Sequence, residues 1–201
     1  VYEKFSDSKI LIGSHNLYKV KQLGVYLAEH APGIIAISPA ELGIASPLEV
    51  GETFEENCES KCIYYGKASG ITTISDDSGI CVDALSGAPG VHTADWGING
   101  DFTPAIERLK KELHAQKGDK FDAKMVSVVS IYWPENNKIH TFRAEAPGYV
   151  NFDNMYNAGV GFQPIFYPHP YNKPASMLND QEYRLVNARA KSFKKLLEAC
   201  F

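Results

Sequence analysis

Ile71-Thr72-Thr73-Ile74-Ser75-Asp76-Asp77-Ser78-Gly79 is the stretch from which the fold class is read. The β-branched run after Ser69-Gly70 predicts a short buried strand over 71–74, with two adjacent acids at its carboxyl end and a glycine turn after them. In open α/β sheets that end of a strand is where ligands bind. Two carboxylates a few Å apart raise each other's pKa unless a metal ion or a base neutralises them, and a hard divalent cation is the natural partner. The other reading, that Asp77 and Ser78 make an Asx turn into Gly79, stays open on this stretch alone.

Composition narrows the classes around it. The 201 residues are 44% hydrophobic and 22% charged, enough for one ordinary globular domain with a sizeable core. A formal charge of −4 gives no broad nucleic-acid footprint, so a polyanionic ligand must be met by local cations or a metal. A small phosphorylated ligand is therefore expected rather than a polymer. No run reaches the length of a membrane span, and the opening Tyr2-Glu3-Lys4-Phe5 lacks a signal peptide's apolar segment; the cytoplasm is the expected compartment. Cys58, Cys62, Cys81 and Cys200 do not make a disulfide framework in such a chain. Cys58 and Cys62, at i and i+4 on a predicted helix, could offer two metal ligands or serve as small core residues; no second pair follows at zinc-finger spacing.

Working outward, Lys9-Ile10-Leu11-Ile12-Gly13 reads as a first buried strand, followed by a loop and a helix patterned on Val20, Leu23, Tyr26 and Leu27. Ser14 or Asn16 can cap that helix, whose first-turn amides would face an anion. Lys19 opposes the macrodipole there, which makes sense beside an anion; the alternative is a solvated surface lysine. Residues 34–37 predict a second strand and 38–43 a turn. Thr53-Phe54-Glu55-Glu56 has the form of a capping box and opens a helix to about Ala68, with Phe54, Cys58, Cys62 and Tyr65 as its apolar stripe and Glu55, Glu59 and Lys67 left to solvent. Glu49 lies on the preceding loop, able to reach a metal. Ser86 to Gly90 is a marked turn, and 102–116 a helix with Ile106, Leu109 and Leu113 on its buried face. Lys124–Trp133 and Lys138–Ala144 predict a hairpin, with a further strand over 146–152. In the glycine-spaced stretch 159–166, Phe162 could stack on a base or sit in the core. A helix from about Asp180 to Cys200, packing through Leu185, Phe193, Leu196 and Leu197, closes the chain.

In this order the signals resemble the inosine triphosphate pyrophosphatase family of house-cleaning nucleotide hydrolases, over nearly the whole chain. Ser14-His15-Asn16-x-x-Lys19 is similar to the family's Thr-Gly-Asn-x-x-Lys, and Glu49-Val50-Gly51-x-Thr53-Phe54-x-Glu56-Asn57 to its Glu-Thr-Gly-x-Thr-Phe-x-Glu-Asn. Asp76-Asp77-Ser78-Gly79 matches and continues through Val82-Asp83-Ala84-Leu85 and Gly87-x-Pro89-Gly90. The resemblance implies a two-lobed mixed α/β fold, with a curved central sheet flanked by helices and a cleft between the lobes, residues 1–201 forming one domain. It also implies a homodimer and magnesium-dependent cleavage of (deoxy)inosine- and xanthosine-type triphosphates to monophosphate and pyrophosphate. Carried over, Glu49 and Asp77 hold Mg2+, Asp77 is the base, and Ser14, Asn16, Lys19 and Ser78 meet the phosphates, with Asp76 supporting its neighbour. Gly161, Phe162, Gln163, Arg184 and Arg189 complete the substrate-binding set.

The departures concentrate at the base-reading end. Val160-Gly161-Phe162-Gln163-Pro164 stands for the family's Phe-Gly-Tyr-Asp-Pro, and Asn187-Ala188-Arg189 for its Ser-His-Arg. Tyr183 replaces a lysine, with Arg184 beside it to stand in; Gln22 replaces a glutamate and Asp95 an arginine. Altered base preference is expected, with the alternative of a catalytically weakened or inactive nucleotide-binding relative.

Overall fold

The apolar strands and amphipathic helices assemble as a mixed α/β fold in the computed structural model, which describes residues 2–98, 100–116 and 118–201. Among the described residues, six strands are hydrogen-bonded in the order β2-β1-β3-β4-β5-β6: β1 (Lys9–Ile12), β2 (Ile35–Ile37), β3 (Thr73–Val82), β4 (Phe121–Trp133), β5 (Lys138–Val150) and β6 (Phe166–Pro168). β1 pairs in parallel with β2 and with β3, whereas β5 and β6 are antiparallel. The α-helices are α1 (Leu17–His30), α2 (Phe54–Ser69), α3 (Thr103–Leu113), α4 (Asp180–Val186) and α5 (Ala188–Cys200).

Two compact units emerge. The first comprises residues 1–77, 127–143 and 192–201; the second, residues 78–126 and 144–191. In the first, α2 begins as its sequence predicts: Thr53 Oγ1 accepts from the Glu56 amide while the Glu56 carboxylate accepts from the Thr53 amide, so two otherwise orphaned donors are satisfied. Its stripe of Phe54, Cys58, Cys62 and Tyr65 is buried. The Cys58 thiol donates to the carbonyls of Ser75 and Val128, and that of Cys62 to those of Thr73 and Ser130. Burial pushes the Cys58 thiol up to about 12. Of the two roles read for these cysteines, core packing is the one they fill. In the second unit, Ile80, Ile106, Leu109, Leu113, Phe162 and Ile165 belong to one buried cluster.

Five expectations need correction. The acids do not follow a strand over 71–74 and lead into a turn; Thr73–Val82 is one continuous strand through Asp76, Asp77, Ser78 and Gly79. The separate strand over 146–152 is instead the end of β5. The C-terminal helix is two helices, broken at Asn187, whose side chain accepts from the Ala190 amide and so starts α5 afresh. Ahead of that break, on α4, Leu185 does not pack; it is 70% exposed. Glu59 is not left to solvent either, accepting from Thr141 at 2.7 Å, whereas Glu55 stays at the surface in a pair with Arg143 at 2.9 Å.

Candidate active site

In the first unit the site begins where β1 stops. The register Ile12↔Ile74 ends the β1–β3 pairing, so Ser75, Asp76 and Asp77 run on beyond the carboxyl end of β1. The ligand-binding edge of a parallel sheet is thus present, although the strand bearing the acids continues. Gly13 makes this approach feasible: a Cβ there would collide with Ser75 Oγ and lie 2.8 Å from Tyr65 Cδ2, and Ser75 Oγ donates to the Gly13 carbonyl at 3.1 Å.

The loop after Gly13 is fixed by its own side chains. Ser14 Oγ accepts from the Asn16 amide at 3.1 Å, and Asn16 Oδ1 caps α1 by accepting from Tyr18 N at 3.0 Å and Lys19 N at 3.3 Å. Lys19 follows in the first turn, and its ammonium lies 3.2 Å from Asp76 Oδ2, a fully buried carboxylate. The solvated-lysine reading therefore gives way to an anion partner, and that anion is the protein's own.

Sequence reasoning missed the third member. Lys61 on α2 has a side chain only 9% exposed, and its ammonium lies 2.9 Å from Glu49 Oε1 and 3.6 Å from Asp77 Oδ1. A signal was available, because Asn57 and Lys61 fall three and seven residues after Phe54, inside the face that buries Cys58, Cys62 and Tyr65. Burial works to lower the Lys61 pKa, but Asp77, Glu49 and Asp76 outweigh it and hold the ammonium above the usual lysine value. For Asp77 burial dominates and raises the carboxyl above its usual range, against the pull of Lys61 and Lys19. Glu49 sits on a loop tied down nearby: His15 Nε2 pairs with the Ile44 carbonyl at 2.9 Å, and Asn57 Oδ1 accepts from the Gly51 amide at 2.7 Å.

The donor set fits magnesium. Glu49 and Asp77 turn carboxylate oxygens toward one point of positive charge, the Lys61 ammonium, so the two acids lie close enough to face a single cation. Among the described residues no three His, Cys, Asp or Glu side chains group as a metal cage. Magnesium does not need one, since it is commonly held by one or two carboxylates with water and substrate phosphates completing its octahedron.

The second unit brings together a different set. Arg189, in the first turn of α5, donates to Ser78 Oγ at 2.8 Å. Gln163 lies two residues after Gly161, which takes the left-handed conformation at φ +61°. Its Oε1 accepts from the Val160 amide at 3.0 Å and its Nε2 donates to the Tyr183 hydroxyl at 2.9 Å. Phe162 is 3% exposed and packs edge-on against Phe102 in the core cluster, so of its two readings the packing role is the one its ring fills. Arg184 is exposed on α4, next to Tyr183.

One ammonium paired with a buried carboxylate, Lys19–Asp76, at the N-terminus of α1 and a second, Lys61–Asp77, reached from the middle of α2, lie beside the end of a parallel strand, an arrangement suited to phosphate and cation charge. A family model described as the Ham1 family matches residues 10–199, and the chain belongs to that family. It is 34% identical to a dITP/XTP pyrophosphatase of Rhizobium meliloti, over 96% of this chain and 96% of that protein. Identity to the dITP/XTP pyrophosphatase of Rhodopseudomonas palustris is 36%, covering 96% and 95%. Among solved structures, the Staphylococcus aureus Ham1 protein superposes with a TM-score of 0.82 at 28% identity, covering 94% of this chain and 96% of that one. A nucleoside-triphosphatase / dITP/XTP pyrophosphatase from Mycobacterium abscessus gives 0.76 at 29% identity, covering 94% and 98%. The family resemblance read from the motifs is borne out.

Proposed function

We propose that this chain is a magnesium-dependent nucleoside triphosphate pyrophosphatase, hydrolysing deoxyinosine- and xanthosine-type purine triphosphates to monophosphate and pyrophosphate with an altered base preference. The observation that carries the reading is the Lys19–Asp76 and Lys61–Glu49/Asp77 network, set at the sheet edge beside the capped α1. Both compact units belong to the one catalytic domain in this proposal, which acts as a cytoplasmic homodimer. Asn16 and Lys19, with Ser14 shaping their loop, take the triphosphate; Ser78 takes a phosphate oxygen. Glu49 and Asp77 hold the metal, which when bound neutralises phosphate charge and activates water. Asp77 accepts the proton of the water that adds to phosphorus as pyrophosphate leaves, and Asp76 holds Lys19. Gly161, Gln163, Arg184 and Arg189 serve substrate recognition, with Phe162 supporting them from the core. Phosphoryl chemistry of this kind needs positioning and charge neutralisation more than a protein nucleophile. Among the described residues no helix is long and apolar enough to cross a membrane.

A second reading is favoured by one observation. Gln163 and Tyr183 form a neutral pair where the resembling family has a carboxylate and a lysine, which suits a nucleotide-binding relative that has lost its rate. A panel of inosine, xanthosine and ordinary triphosphates with magnesium, counting pyrophosphate, separates the two. Turnover is expected. Tight binding by calorimetry without turnover on any substrate would replace the enzyme by the binding protein.

A further inference from the structure

The strongest unexplained feature is a lysine ammonium occupying the place between the two acids assigned to the metal. We propose that Lys61 is a resident counter-ion that competes with the divalent cation for Glu49 and Asp77, so that metal enters this site together with a polyphosphate and not before it. This rests on the proposed metal role of Glu49 and Asp77.

The reasoning is electrostatic. Lys61 touches both carboxylates, at 2.9 and 3.6 Å, and its side chain is 9% exposed. A cation binding the same oxygens in the free protein would place a second positive charge beside the first. It would also strip a nearly buried ammonium of its partners, a change that is strongly unfavourable when nothing replaces them. The other nearby acid offers little relief, because Asp76 already has Lys19 at 3.2 Å. A polyphosphate bound with the metal removes the conflict by supplying Lys61 with new negative charge. Metal and polyphosphate must then favour each other's binding, and that coupling is reciprocal. Lys61 is a positioning residue in this scheme.

The test is Mn2+ binding, read by the loss of the free-ion electron paramagnetic resonance signal, with no turnover involved. Nucleotide-free wild-type protein should bind Mn2+ weakly, and inorganic tripolyphosphate should tighten the protein's Asp77-dependent site. Lys61→Met should bind Mn2+ about tenfold or more tighter without polyphosphate, since an adjacent competing charge is gone. Lys19→Met, which removes a charge paired with Asp76, should give a smaller gain and so measures the through-space part alone. Equal gains from the two variants, or none from Lys61→Met, overturn the proposal. So does tight Asp77-dependent Mn2+ binding by nucleotide-free wild type, a result independent of whether Lys61→Met folds. Failure of every form to bind Mn2+ even with tripolyphosphate would remove the metal assignment itself, and the proposal with it.

Discussion

Strand β3 serves two different neighbourhoods. Its first half, through Asp77, is met by charge: Lys19 on the buried Asp76, and Lys61 on the buried Asp77 and on Glu49, whose side chain stays 42% exposed. From Ser78 onward, in the second unit, the polar contacts are of another kind: a hydroxyl takes the Arg189 guanidinium, and Gln163 and Tyr183 share an uncharged hydrogen bond. A buried ion network has little tolerance, because removing one member leaves the other charge without compensation. A neutral pair can be exchanged at small cost. Chemistry is therefore expected to be held by the first region and substrate preference to be adjustable in the second.

The contrast breaks most visibly at Asp77. Asp77→Asn should lower kcat by roughly 10²–10⁴-fold, the usual range for losing a positioned base. Circular dichroism should be unchanged. Wild-type turnover by the variant would mean that the first region does not run the reaction. Next in size is Gly13→Ala, whose new methyl meets Ser75 Oγ and Tyr65. It should destabilise the protein by about 1–3 kcal/mol, as overpacking does. A thermal melt with an unchanged midpoint would show that the loop before α1 can yield.

The second region should answer more gently. Tyr183→Phe deletes one neutral hydrogen bond, about 0.5–1.5 kcal/mol, so a change in KM of a few-fold up to about tenfold is expected, with kcat nearly constant. A fall in kcat matching that of Asp77→Asn would erase the distinction between the two regions.

The smallest effect lies away from the site. His140 Nε2 accepts the Glu3 amide at 2.9 Å, which requires the neutral ring, and burial lowers its pKa from 6.5, with Lys138 adding to this and Glu3 opposing it. The unfolded ring takes up its proton as pH falls through that ordinary value while the folded one resists. The contribution to stability is thus present above it and lost as pH falls through the lower folded value. His140→Gln should flatten this part of the denaturation profile between pH 7 and pH 5; an unchanged slope would exclude the linkage.

Much of the first region was legible because its determinants are local. Thr53 and Glu56 specify the start of α2 within one turn, and Ser14 and Asn16 do the same for α1. What local reading lost was long-range. Asp76 and Asp77 argued for a strand end and a turn, since two acids inside a buried strand are costly; Lys19 and Lys61, brought from two helices, offset that cost and let β3 continue. Lys61 itself was overlooked because a lysine is by default read as solvated. In the second region Asn187 sits inside the stretch whose pattern predicts one helix, yet its side chain is a capping group that accepts from the Ala190 amide and starts α5 afresh. The Gln163–Tyr183 bond joins residues twenty apart in sequence, a pairing that neither residue announces alone.

The most direct measurement is kcat/KM for a matched series of triphosphates differing only in base, with magnesium and with pyrophosphate counted as product. If the neutral Gln163–Tyr183 pair belongs to the base-reading end, as proposed, the expected result is Asp77-dependent turnover in which inosine- and xanthosine-type substrates lead ordinary purines by no more than about a hundredfold. Discrimination beyond roughly 10⁴-fold would contradict the proposed change of base preference, and no pyrophosphate from any substrate would contradict the proposed reaction.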